Sequence, residues 1–305
     1  MSSKLLIGAA DMGAASRQGK LRVSPGVRIR LGVVEGVYMT KLSLSRAWEE
    51  TTAVLARDGR LFFAVALAMF VLPGLILNVS MPAAEPGQFP PMGPWVAVAI
   101  AAVLVSLVGQ LATIRLAMEP HVAVGEAISH GLRRVLPYVA ATLMWLLPIT
   151  IVGSALGGFL YENQEQPSVA AALALILLCL VFAFVAVRLM LSSAVASAEN
   201  IGPIAILHRS WDLSHGNWWR LFAFLLLFGI GALCLIFAVD AVFGLVVRMV
   251  VEDSGPRSLG GLIVSIVSQL VSGLLSVILF VMLARMYVQR SGGGAAQASV
   301  PRSGI

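Results

Sequence analysis

"VAAALALILLCLVFAFVAVRLMLSS", residues Val169 to Ser193, carries one charged side chain, Arg188, in 25 positions. A helix needs about 20 apolar residues to cross the hydrocarbon of a bilayer, and this run is long enough. Within hydrocarbon it must be helical, because only a helix satisfies its backbone hydrogen bonds inside one segment. Five more runs of this kind lie on either side: Leu61 to Val79, Trp95 to Met118, Tyr138 to Leu160, Trp218 to Val247 and Leu259 to Val288. The whole chain agrees, with 59% hydrophobic residues, 12% charged and a mean hydropathy of +0.92. A soluble chain would be about a quarter charged. The sequence therefore reads as an all-α polytopic membrane protein with six transmembrane helices.

Charge sets the orientation. Lysine and arginine in short flanking segments stay on the cytoplasmic side. The segment through Arg60 holds 10 of the 21 basic residues, and Arg115 to Pro137, Arg188 to Arg220 and Arg285 to Ile305 hold three each. Only Arg248 and Arg257 fall on the other side. Both termini are thus expected in the cytoplasm, with the chain in a bacterial inner membrane. The net charge of +6 calls for anionic lipid rather than nucleic acid as its partner. Cys179 and Cys234 lie inside apolar runs, so no disulfide framework is implied.

Residues 1–38 scatter six basic residues among glycine, serine and alanine, without a signal-peptide core. They read as a disordered basic tail, and Met39 reads as an alternative start of translation. Residues 39–290 form the integral membrane domain, and 291–305, "SGGGAAQASVPRSGI", a flexible tail.

A short amphipathic pattern precedes each odd-numbered run and ends in glycine. The three read "SLSRAWEETTAVLARDGRLFF", "VGEAISHGLRRVLPYV" and "PIAILHRSWDLSHGNWWRLFAF". The first and third share arginine, a small residue, tryptophan and an acid, beginning at Arg46 and Arg209. The second and third share Ser-His-Gly, ending at Gly131 and Gly216. Each even run closes on an arginine: Arg115, Arg188 and Arg285. The pattern predicts three repeats of an interfacial amphipathic helix followed by a helical hairpin. Pro73 and Pro148 sit at matching depths as kinks facing protein.

In the third unit Pro203 suits a first helical turn, Gly216 a stop and Asn217 the cap of the next helix. Ile204, Leu207, Trp211 and Ser214 share one face, and Arg209 and Asp212 are spaced to pair. This helix is expected in the headgroup plane, with Trp48, Trp211, Trp218 and Trp219 as interfacial anchors. His208, Asp212 and His215 fall on one face at metal-ligand spacing. The second unit keeps only one histidine, and nothing supplies a catalytic shell. No metal, cofactor or catalytic residue is therefore assigned.

Asp240 and Gln269 are the candidate functional polar residues within the spans. Asp240 lies about 30 Å along its helix from Arg220, at the outer interface. Gln269 shares a helix with Ser265, Ser268, Ser272, Gly273 and Ser276, small residues that favour close helix packing, with a polar pathway as the lesser reading. Arg115, Arg188 and Arg285 are candidates for holding anionic headgroups, against the alternative that each only snorkels to the interface.

"RSWDLSHGNWWRLFAFLLLF", preceded by "ENIGPIAIL", resembles the membrane domain found beside glycerophosphoryl diester phosphodiesterases and in related bacterial six-span proteins. The likeness extends more weakly over about residues 40 to 290 and implies location and architecture. The phosphodiesterase activity belongs to a separate soluble barrel, for which the tails and loops have no room. Three functions follow as expectations. The favoured one is a non-catalytic membrane protein that organises or senses lipid. The alternatives are a transporter of a small amphiphile, as internal repeats suggest, and an enzyme of lipid phosphodiester metabolism.

Overall fold

The computed structural model describes residues 43–82, 90–163, 168–250 and 258–292. The N-terminal tail and most of the C-terminal one lie outside this range. Every regular element among the described residues is helical, and six helices are long and apolar enough to cross a membrane. The chain is an all-α, multi-pass membrane protein.

Span one begins at Ser43, whose hydroxyl accepts the Arg46 backbone N–H at 3.4 Å. It comprises α1 (Leu44–Ala66), a widened π turn (Leu67–Val71) and α2 (Leu72–Ser80). Pro73 explains that turn. It has no N–H to offer the preceding carbonyls, and the chain responds by shifting register, with the Leu72 N–H reaching back five residues to Leu67 O. Spans two to four are α3 (Trp95–Met118), α4 (Val124–Glu162) and α5 (Val169–Arg188). Two short helices follow, α6 (Ser192–Ala198) and α7 (Pro203–Ser214), before spans five and six, α8 (Trp218–Val250) and α9 (Leu259–Ser291).

The central helix is α3, which packs on α4, α9, α2 and α6. Its Leu111, Ala112, Thr113 and Ile114 are fully buried, facing a layer that includes Val281 and Met286 of α9 and Leu191 and Val195 around α6. In contrast, α5 and α8 turn large apolar side chains outward along most of their length.

The three units do not share one backbone plan. The third breaks fully between its amphipathic helix and its span: Gly216 takes the left-handed conformation (φ +76°), and Asn217 O then accepts from Arg220 and Leu221 to start α8. In the first unit two helices meet across a kink at Asp58, whose φ of −116° and ψ of 19° are not helical, one residue before Gly59. In the second, α4 continues through Gly131 for 39 residues, about 58 Å. That glycine serves packing instead, since a Cβ there would stand 2.8 Å from Val108 O. The expected separation of amphipathic helix and span is thus corrected for unit two alone. Pro148 is also corrected: α4 passes through it and it faces outward, whereas Pro73 is buried.

Candidate functional site

Spans one, two and six enclose a cleft of about 360 Å³. Along α9 its wall runs from Gln269 through Ser272, Gly273 and Ser276 to Phe280. The 11 steps from Gln269 to Phe280 rise about 16 Å, half the hydrocarbon thickness of about 30 Å. Across it, α3 supplies Ser106 and Gln110, spaced to share a face, and Phe70 and Gly74 face it from span one beside the π turn. Phe70 and Phe280 pack at 5.6 Å between ring centroids and close one side. The Gln269 amide lies across Gly74, where a Cβ would stand 2.5 Å from its Oε1.

No lining side chain is charged. The polar groups are carboxamides and hydroxyls, and several have capacity to spare. Gln269 makes no hydrogen bond among the described residues, and Gln110 makes one long bond, Nε2 to the Tyr138 hydroxyl at 3.4 Å. Gln269 stands ten residues from the start of α9 and 16 from Arg285, roughly 15 and 24 Å. At that depth an unpaired amide costs about 1–3 kcal/mol, so the cleft favours an occupant that completes its hydrogen bonds. Toward the arginine-rich end the polar track continues: the buried Tyr138 hydroxyl faces Thr142, Ser192 and Ser193.

That end is tied together by arginine, and the sequence reading missed its centre. Arg134, 9% exposed, donates from Nε to Ala196 O (3.0 Å), from Nη1 to Asn200 Oδ1 (2.7 Å) and from Nη2 to Glu199 O (2.6 Å) and Ile201 O (3.0 Å). It therefore satisfies the carbonyls at the end of α6, and His130, one turn earlier, meets Ser197 O at 2.9 Å. Glu199 accepts from the Tyr287 hydroxyl (2.8 Å) and pairs with Arg209 (3.0 Å). Arg290 donates to Leu213 O and His215 O at the end of α7. Among the described residues Arg134, Arg209 and Arg290 thus gather around the ends of α6 and α7.

The three arginines singled out by sequence have separate surroundings. Arg115 pairs with Glu119 at 2.8 Å. Arg188 stacks between Phe184 and Trp211, 5.5 and 5.0 Å from their centroids, and its Nε and Nη1 are buried without a described partner. Arg285 has a similarly unpartnered Nε, and α9 runs six residues beyond it. Of the tryptophans, Trp219 and Trp48 are exposed, Trp211 carries Arg188, and Trp218 stacks on Phe222 while donating to Phe184 O. The inward face of α7 is Ile206, Ser210, Leu213 and Ser214, while Ile204 and Trp211 turn outward. Arg209 pairs with Glu199 rather than Asp212. His208, Asp212 and His215 are exposed, and no group of three potential metal ligands forms among the described residues. One carboxylate oxygen of Asp240 is buried inside α8 without a described partner.

A family model described as Domain of unknown function (DUF7847) matches residues 42–290. The chain belongs to the DUF7847 family. The match covers all six spans, both short helices and the cleft, so the DUF7847 region and the membrane bundle coincide. No curated protein and no solved structure matches the chain.

Sequence reasoning reached Gln269 and its small neighbours but passed over Ser106, Gln110 and Arg134. A signal for the first two was present. In "VSLVGQLATIR" they are polar residues spaced i, i+4, with Gly109 beside them.

Proposed function

We propose that this chain is a non-catalytic protein of the bacterial inner membrane that binds bilayer lipid, taking one molecule in the cleft between spans one, two and six and gathering anionic lipid at its basic end. The carrying observation is the cleft: a 360 Å³ space at membrane depth, with an amide that no described residue pairs. Its polar groups are amides and hydroxyls, which hold a ligand but are poorly suited to exchanging protons with it near neutral pH. The asymmetric distribution of arginine supports cytoplasmic termini and attraction of anionic headgroups. The likeness to the membrane domain of glycerophosphoryl diester phosphodiesterases adds to the reading of architecture alone. A transporter of a small amphiphile is the second reading, favoured by the π turn and Pro73 in a wall of the cleft.

Native mass spectrometry of the purified chain tests lipid binding. The expected result is a lipid that survives gentle activation and falls by more than half when Ser106→Leu and Ser272→Leu fill the cleft. Unchanged retention in that variant overturns the reading. Orientation is tested separately with a membrane-impermeant thiol reagent on intact cells, using variants that first lack Cys179 and Cys234. A cysteine at Asn163 is expected to react and one at Ser129 to stay silent.

A further inference from the structure

The cleft's chemistry says which kind of lipid it takes. Its polar lining consists of Ser106, Gln110, Gln269, Ser272 and Ser276, with no cation and no carboxylate. The nearest arginine along α3, Arg115, is five residues from Gln110, about 7.5 Å further toward the basic end, and already bound to Glu119. Arg285 is five residues beyond Phe280, the last cleft residue on α9. A phosphate placed among these groups would be an uncompensated charge in a low-dielectric setting, which is far costlier than an uncharged polar group. Carboxamides and hydroxyls instead complement carbonyl and hydroxyl groups, since each amide offers two donors and an acceptor. Phe70 and Phe280 supply apolar contact beside them. The shape agrees, because the wall is about half a bilayer long and suits an amphiphile lying within one leaflet.

We propose that the cleft selects an uncharged lipid bearing hydroxyl and carbonyl groups, the chemistry of a diacylglycerol, and excludes lipids with a phosphate headgroup. This rests on the lipid-binding reading above and narrows it. Gln269 is the main selecting residue, because its amide lines the cleft and has no partner among the described residues.

The test uses the full chain in nanodiscs of phosphatidylcholine, doped in separate samples with a photoreactive diacylglycerol or a photoreactive phosphatidylglycerol. The expected outcome is labelling by the diacylglycerol of the α9 peptide containing Gln269 to Phe280, competed by unlabelled diacylglycerol and absent with the phosphatidylglycerol probe. Gln269→Leu keeps similar bulk and removes the amide, and is expected to reduce that labelling about tenfold, the loss of one hydrogen bond. Gln269→Lys places a cation in the cleft and is expected to admit the phosphatidylglycerol probe. Equal labelling of the wild-type cleft by both probes overturns the selectivity while leaving lipid binding intact. Unchanged labelling in Gln269→Leu also overturns it. Labelling by neither probe overturns the lipid-binding reading itself.

Discussion

Spans two and four both look like obvious transmembrane helices, yet they end in opposite places. In the most apolar stretch of span two 39% of residues are buried, against 6% in span four. Span two carries Ser106, Gly109, Gln110, Ala112, Thr113 and Ala117, small or polar residues through which helices approach closely. Span four presents Leu173, Ile176, Leu177 and Leu180, each more than half exposed. In lipid, bulky apolar side chains gain little by meeting one another, because acyl chains are equally good neighbours. Apolarity decides that a segment enters the bilayer, while small and polar residues decide what it touches there. Span five follows span four, with 6% of its stretch buried.

This contrast can be broken by mutation. The largest effect is expected at the clamp. Arg134→Met leaves three carbonyls and the Asn200 amide without their donor and should cost about 3 kcal/mol, whereas its exposed neighbour Arg133→Met should stay within about 0.5 kcal/mol. Unfolding of the detergent-solubilised protein measures both, and equal effects would remove the clamp from the account. Next comes the core: Ile114→Ala in span two should cost about 2–3 kcal/mol, while Leu177→Ala in span four should be nearly neutral in lipid. Comparable losses would mean that span four is packed as tightly as span two. Smaller again is the wall of the cleft. Gly74→Ala drives Gln269 aside at about 1–2 kcal/mol and lowers lipid retention, but Gly229→Ala in span five meets nothing within 4 Å and should be neutral or slightly stabilising. The smallest stability change is expected for Arg115→Lys, Arg188→Lys and Arg285→Lys together. Charge is kept, but the planar fork and the stacking of Arg188 are lost, so retained anionic lipid should fall with topology unchanged. Unchanged retention would leave the three arginines as interfacial anchors only.

The six spans were legible because a 20-residue apolar run has one outcome in a membrane. Their ends were less so. The helical pattern before spans one and three is continuous with the span itself, and no composition signal separates a glycine that stops a helix, Gly216, from one that lets Val108 approach, Gly131. The short helix α6 gave no signal at all. "SSAVASA" has no amphipathic period, and its C-terminal end is held by Arg134 and His130 from a distant helix. For the cleft, the face bearing Gln269, Ser272 and Ser276 was readable from spacing, but whether such a face closes on a neighbour or stays open depends on three helices at once. The π turn of span one contributes to that opening, and only Pro73 hinted at it.

The clamp also carries a message about biogenesis. Arg134 and its acceptors are 62 to 67 residues apart in sequence, with the rest of span three and all of span four between them. During synthesis Arg134 emerges first and has no acceptors until both of those helices have been threaded and α6 has returned to the same side of the bilayer. An odd number of crossings between them would leave the guanidinium and the α6 carbonyls on opposite faces, each unpaired. The clamp therefore closes only when spans three and four have both crossed, and a chain in which one has not crossed keeps an unpaired arginine and unpaired carbonyls at the end of α6.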